Sequence, residues 1–399
     1  MSEPPVMQRL GLRYVEWRER RLGASELQVD PHYLDEAEQR ALLRIQWRLV
    51  GSAALLGTAS GLVCALAEVW ADEALAGDPY AGWGAEARYW AFLGSVIGVA
   101  ALLEVALLYL GSLRAVHAIA RTAGTPLFVT EADASPGSPM AAALVRAALE
   151  LPNPPPQGYA IDPLREVSRL RAVAIGLLYK AKVGLSSFLI KLVLRRAAGR
   201  AALRAWLPFV GVPVTAFWNG VVAYVVIREA RLRAIGPSAA RRFGELLQLP
   251  EGREQPERAE LVWRAVAATI VRTHELHPNV AALMEVLRER MGEAPHDELD
   301  DTSRFLERLA VAPEEDRRVA LRALAVAAAL DGRIDGDERR LVHDAGRASG
   351  LELHPRDLAR LRRRFVAGRH IDASLLEPLA REPGGAPGGL PSGQAEPSS

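Results

Sequence analysis

The sequence predicts an all-α membrane protein, a transmembrane helical hairpin carrying cytoplasmic helical domains. Three observations lead there. Half of the 399 residues are hydrophobic but only 6% are aromatic, and Val/Ile/Thr/Tyr alternation bounded by turn residues is scarce. Leu49 to Ala67 carries no charge over 19 residues, and Tyr89 to Leu113 carries one, Glu104, over 25. Basic residues flank both runs on one side, whereas the connection between them is acidic.

Residues 1–48 are a charged cytoplasmic N-terminal segment, with "EWRERR" and "DEAEQR", and no secretory signal opens the chain. Residues 49–113 form the hairpin. Each apolar run is long enough to cross a hydrocarbon core of about 30 Å at ~1.5 Å per residue. Arg44 and Arg48 precede the first run; Arg114, His117 and Arg121 follow the second. The connection from Glu68 to Arg88 holds five acids and one Arg. Basic residues stay cytoplasmic, so both ends of the hairpin are expected there. Trp47, Trp70, Tyr89 and Trp90 stand at belt positions.

Each run contains a GxxxG, Gly57 with Gly61 and Gly94 with Gly98. In an antiparallel pair the two motifs fall at similar depth, where small residues let helix backbones approach closely. The expectation is that they face each other. Glu104 lies mid-membrane or slightly inside. An ionised carboxylate there is costly, so it is either a functional group or a hydrogen-bonded one. The single cysteine, Cys64, excludes an internal disulfide and CxxC zinc sites.

Residues 114–156 read as a linker with a short helix, punctuated by "ASPGSP" and "LPNPPPQG". From 114 to 243 the chain holds 18 Lys/Arg against six Asp/Glu, although the net charge of the whole is only +1. No global field draws in nucleic acid, and the local excess suits anionic lipid head groups. Two apolar stretches follow, about 172–194 and 205–227. The second is uncharged but interrupted by Pro208, Pro213 and Asn219. A second hairpin would export Arg195 to Arg204, and a single third span would export Arg228 to Arg242; both oppose the positive-inside bias. The expectation is helices buried in a cytoplasmic domain or lying in the membrane surface.

"GYAIDPLREV" at 158–167, a basic helical stretch, "LPFVGVPVTAFWNGVVAYVVIREA" and a closing "ARRF" together resemble the EcsC family over about 157–243. Pro208, Gly211 and Asn219 match its pattern, while Pro213 departs from it. The resemblance implies a membrane-associated bacterial protein near a transporter system, without a reaction. Asn219 also reads as a buried amide bridging helices.

Residues 244–312 read as connecting amphipathic helices, near 256–275 and 279–291. His274 and His277 have i, i+3 spacing but serve as helix-end punctuation before Pro278. In 313–372, the turn "ALDGRIDGDERR" carries Asp331, Asp335, Asp337 and Glu338. Its spacing is not that of an EF-hand, since Arg333 and Val342 stand at loop positions 3 and 12. Helix punctuation accounts for most of it. Gly332 ends one helix, Asp335 and Glu338 form a capping box, and Asp337 complements the helix dipole. Asp331 is left without a local task. A weak Ca²⁺ or Mg²⁺ site is the other reading. Asp331, Gly332, Ile334 and Glu338 resemble the recurring hairpin of the TerB-like (tellurite-resistance) helical module. That resemblance implies a helical bundle, a setting in stress response at the membrane, and a divalent metal at the turn. Residues 373–399 are Gly/Pro/Ser-rich and are expected to be a disordered tail.

No Gly-rich phosphate loop, nucleophile elbow or HExxH is present in the sequence. The expected function is a non-enzymatic, bacterial inner-membrane protein whose cytoplasmic modules recruit protein partners, in envelope or metal/oxyanion stress. The alternative is an accessory component of a transport system, using Glu104 and the 205–227 stretch.

Overall fold

The computed structural model describes residues 5–23, 33–75, 83–127, 138–151, 153, 161–163, 209, 211–250, 255–295 and 298–382. Among these the chain is helical and has no strand, only an isolated antiparallel bridge between Glu352 and Arg381. Three helices are long and apolar enough to cross a membrane. The chain divides into two compact units, the first comprising 1–28, 35–152 and 168–234, the second 29–34, 153–167 and 235–399.

The first unit contains α1 (Val6–Leu22), α2 (Glu36–Ala74), α3 (Trp83–Thr122), α4 (Pro139–Ala148) and α5 (Gly211–Leu246) as far as Ala234. Asp35 starts α2 through a capping box. Its carboxylate accepts from the Glu38 amide at 2.6 Å, and Glu38 accepts from the Asp35 amide at 2.8 Å. From there α2 runs 39 residues without a proline or a buried charge to stop it. α2 and α3 lie side by side in opposite directions. Leu49, early in α2, meets Gly111, late in α3, and Trp70 packs on Phe92 with ring centroids 4.8 Å apart.

α5 packs on α2 along a line of small residues. Val50 and Ala54 face Gly220, while Gly61 faces Val212. The order of these contacts fixes the direction of α5: its later residues lie beside the earlier residues of α2. Thr125, just beyond α3, confirms it by donating its hydroxyl to the Ala234 carbonyl at 2.8 Å. Arg228 to Arg233 are therefore at the end of the unit where α2 begins and α3 finishes. The extent of α5 differs from that of the apolar stretch 205–227. The helix starts at Gly211 and continues far past Ile227, because Pro213 sits in its first turn, where no helical N–H is lost. The charge objection to a third apolar helix assumed that Arg228 to Arg242 would go to the opposite end. Pro208 lies outside the described residues.

The second unit holds α5 from Ile235 onward, then α6 (Pro256–Thr273), α7 (Pro278–Met291), α8 (Thr302–Val311), α9 (Glu314–Leu330), α10 (Gly336–Ser349) and α11 (Pro355–Val366). α6 and α9 are its core. Leu261 to Val271 and Val319 to Leu330 include long uninterrupted buried runs, much of them alanine, which lets the two helices pack closely. Arg264 is fully buried yet satisfied. Its Nε donates to Glu260 at 2.7 Å and its Nη1 to the Glu298 carbonyl at 2.9 Å. Asn279, at the start of α7, donates to the Leu330 carbonyl at 2.8 Å and so caps the end of α9. Gly236 leaves the space that the Asn279 amide fills.

The first ten residues of the expected tail are ordered. Ala373–Leu375 and Glu377–Leu379 are 3₁₀ turns that bury Leu375, Leu376 and Leu379, and Arg381 pairs with Glu352. Three leucines in seven residues supply the apolar burial that a Gly/Pro-rich composition obscures.

Candidate functional site

α2, α3 and α5 meet at a polar pair. Asn219, buried to 7% exposure, donates from Nδ2 to Glu104 Oε1 at 2.5 Å. Glu104 is half-buried on α3, nine residues before Leu113, or about 14 Å along a helix. Asn219 reaches it because Gly57 of α2 has no side chain. A Cβ there would lie 2.7 Å from Asn219 Nδ2 and 2.9 Å from the Thr215 carbonyl oxygen. Gly61 is similarly close, 3.0 Å from Val212 Cα.

The GxxxG expectation is thus corrected. Gly57 and Gly61 receive α5, not the other motif, and a Cβ at Gly94 or Gly98 would meet nothing within 4 Å. Depth matching along two helices does not fix rotation about their axes. Here a third helix takes the small face of α2, and the small face of α3 meets nothing among the described residues.

Beside the pair lies a groove of about 600 Å³ between α2 and α3. Leu56, Val63, Phe92, Val96, Val99 and Leu103 line it with Glu104, its single charged group. Outside the groove the helices expose large apolar side chains, including Leu55 (71%), Leu102 (74%) and Phe217 (70%). Only 22, 11 and 33% of the most apolar windows of α2, α3 and α5 are buried inside the protein.

At the end where α2 begins, α1 and α4 cover the bundle with polar contacts. Glu19 of α1 pairs with His117 at 2.6 Å and with Arg121 at 3.4 Å, and Arg121 also donates to the Gly23 carbonyl at 2.6 Å. Arg233 donates to Glu229 and to the Ala143 carbonyl, both at 2.8 Å. Gly11 admits Val145 of α4, whose Cγ1 would lie 2.6 Å from an added Cβ.

In the second unit the acidic turn forms the expected junction. Asp331 is the C-cap of α9, and Gly332 follows at φ +73°. Asp335 Oδ1 accepts from the amides of Asp337 (2.9 Å) and Glu338 (2.8 Å), and Glu338 Oε2 accepts from the Asp335 amide at 3.0 Å. Asp337 pairs with Arg340 at 3.3 Å. Asp331 does have a local task, which sequence spacing missed: Oδ1 accepts from the Arg333 amide at 2.7 Å, an Asx turn. Burial, then the neighbouring Asp331 charge, pushes the Glu338 carboxyl up to about 9. Its Oε1 is buried without a hydrogen-bond partner. No group of three or more His, Cys, Asp or Glu among the described residues is arranged to hold a metal ion.

One surface feature had no sequence expectation. Arg356, Arg360 and Arg363, at i, i+4 and i+7 of α11, are all exposed. None of them meets an acidic side chain among the described residues. The signal was present in "PRDLARLRRRFV", where the apolar Leu358, Leu361 and Phe365 take the opposite, buried face. Comparison with protein-family models, with curated proteins and with solved structures gave no match.

Proposed function

We propose that the chain is a non-enzymatic protein of the bacterial inner membrane. Its first unit is embedded through α2, α3 and α5, and its second unit recruits protein partners in the cytoplasm. One observation carries this reading: three apolar helices leave most of their apolar surface outside the protein. Exposed apolar surface of that extent needs lipid. The end bearing Arg114, Arg121 and Arg228 to Arg233 faces the cytoplasm by the positive-inside bias, together with the N-terminus and all of the chain after α5. This orientation requires the chain to cross once more between α4 and α5, and the apolar stretch 172–194 is the candidate in the sequence, at the cost of exporting Arg195 to Arg204. Anionic lipid head groups meet that end.

The arginine row on α11 is the recruiting surface, suited to an acidic segment of a partner protein. A setting in envelope or metal/oxyanion stress is supported by the resemblance of Asp331, Gly332, Ile334 and Glu338 to the TerB-like module, and a setting beside a transporter by the resemblance of Gly211 and Asn219 to the EcsC family. The residues named for each resemblance are its whole support. A second reading, an accessory component of a transport system, is favoured by the Glu104–Asn219 pair, since polar side chains between membrane helices mark functional positions.

The test compares partners co-purified from detergent by the native chain and by Arg356→Glu/Arg360→Glu/Arg363→Glu. Partners lost from the variant, with membrane retention unchanged, support the recruiting role. Identical partner sets refute the assigned surface. Solute flux in proteoliposomes that falls with Glu104→Gln selects the transport reading instead.

A further inference from the structure

We propose that the outward face of α1 is a docking surface for anionic phospholipid, which seats this helix in the head-group layer of the cytoplasmic leaflet. α1 packs on α3 and α4 through Gln8, Gly11, Leu12 and Val15, all of them buried. At about 100° per residue, Val6, Leu10 and Trp17 fall together on the opposite face. They are 61, 54 and 52% exposed. Arg13 and Arg20 border this stripe on one side and Arg21 on the other, and all three are exposed. The two acids of α1 do not neutralise that face. Glu19 turns inward to His117 and Arg121, and Glu16 pairs with Arg20. Arg21 Cζ stands 5.5 Å from the centroid of the Trp17 ring. A tryptophan-bearing apolar stripe edged by arginines is the composition of a helix that rests between head groups and acyl chains.

The level of α1 along α3 agrees. A Cβ on Gly11 would lie 3.5 Å from Leu113 Cδ2, where the apolar run of α3 ends. Arg114 Nε donates to the Tyr14 hydroxyl at 3.1 Å, and Glu19 pairs with His117 at 2.6 Å. The order of these contacts gives α1 the same sense as α3. Val6 and Leu10 therefore lie toward the apolar run and Trp17 just beyond it, at the depth where indole rings gather. A protein would cover the apolar stripe equally well. The arginines on both of its borders, at that level, select an anionic lipid surface, each favouring it about fivefold.

The proposal rests on the membrane-embedded reading of the first unit and deepens it. Full-length protein with Cys64→Ser and Leu10→Cys is labelled with an environment-sensitive fluorophore and placed one chain per nanodisc, in phosphatidylglycerol or phosphatidylcholine. The expected result in phosphatidylglycerol is blue-shifted emission, quenched by lipids spin-labelled near the head group. Both effects should decline in phosphatidylcholine and on adding Arg13→Glu/Arg21→Glu. The comparison of lipids uses the native arginines, so it decides the matter if the charge-reversed variant does not fold. Full quenching by aqueous acrylamide in phosphatidylglycerol would overturn the proposal and leave the face to a protein partner. Protection found only in discs holding two chains would give the face to a second copy. Equal lipid quenching in the two lipids would remove the anionic selectivity and overturn the proposal as well. A label at Leu102→Cys on α3, where Leu102 is 74% exposed, tests the membrane reading separately. Lipids spin-labelled deep in the acyl chain should quench it, and failure there would refute the embedding itself rather than the docking of α1.

Discussion

Asn219 Nδ2 lies 2.5 Å from Glu104 Oε1, joining α5 to α3 across 115 positions of sequence. The pair is the polar contact that holds the third apolar helix against the other two. Replacing Asn219 with Leu keeps the branched shape, adds volume and removes the donor; Asn219→Ala removes the donor without adding volume. The melting temperature in detergent should fall, by the equivalent of about 0.6–2 kcal/mol, the range for one hydrogen bond between membrane helices. Glu104→Gln should cost less, because its amide oxygen still accepts. Equal melting of Asn219→Leu and the native chain would remove the pair from the account of stability.

Close packing predicts a sharp asymmetry among the glycines. Gly57→Leu and Gly61→Leu must push α5 away, since even a Cβ would sit 2.7–3.0 Å from Asn219, Thr215 or Val212. Gly94→Leu and Gly98→Leu enter open space and should leave detergent stability unchanged. Thermal melts of the four variants check this, and similar losses at all four positions would contradict the assigned helix contacts.

How far the sequence could be read depends on the range of each interaction. The capping box expected at Asp335/Glu338 is complete within four residues and is present; the one at Asp35/Glu38 is as local but was not singled out in the sequence. α6 and α7 begin and end within two residues of their expected limits, because Pro256, Pro278 and Gly292 punctuate them. The length and apolar character of α2 and α3 were equally plain. The partner of Gly57 and Gly61 was not, because a GxxxG identifies a contact face without naming the helix that fills it. Asn219 and Glu104 were each singled out, but their pairing depends on the direction of α5, which no local pattern encodes. The 3₁₀ turns around Leu375 and Leu379 were hidden by a composition averaged over the Gly/Pro-rich residues that follow in the sequence.

The turn from Asp331 to Glu338 yields a mutational test. Asp335→Ala removes an acceptor shared by two amides and should destabilise the second unit by about 0.5–2 kcal/mol. Asp331→Asn should be nearly silent, because its side-chain oxygen still accepts from the Arg333 amide. Full-length protein melted with Ca²⁺, with Mg²⁺ and with chelator should give coincident curves if the turn is only a junction. A metal-dependent rise abolished by Asp331→Asn would assign a cation to it.

Glu338 predicts a pH dependence of stability. Its folded-state pKa is about 9, above the ordinary 4.5, because burial disfavours the charge. Below 4.5 the folded and unfolded carboxyls are both protonated, so neither state is favoured. Between 4.5 and 9 the unfolded group ionises while the folded one keeps its proton, and stability falls as pH rises, by up to ~1.4 kcal/mol per pH unit. Above 9 the contribution is constant. Glu338→Gln preserves the capping box and should flatten this part of the profile. Denaturant titrations across that pH range measure it, and an unchanged slope in the variant would refute the assignment.

In the proposed topology α2, α3 and α5 sit in the membrane with the arginine-bearing end in the cytoplasm. Cysteine accessibility tests it most directly. In a Cys64→Ser background, Ala76→Cys lies in the connection between α2 and α3, and Val311→Cys lies in the second unit, where Val311 is 86% exposed. A membrane-impermeant maleimide should label position 76 in intact spheroplasts and position 311 only after permeabilisation. Labelling of position 311 from outside, or recovery of the unlabelled protein in the soluble fraction, would contradict the account.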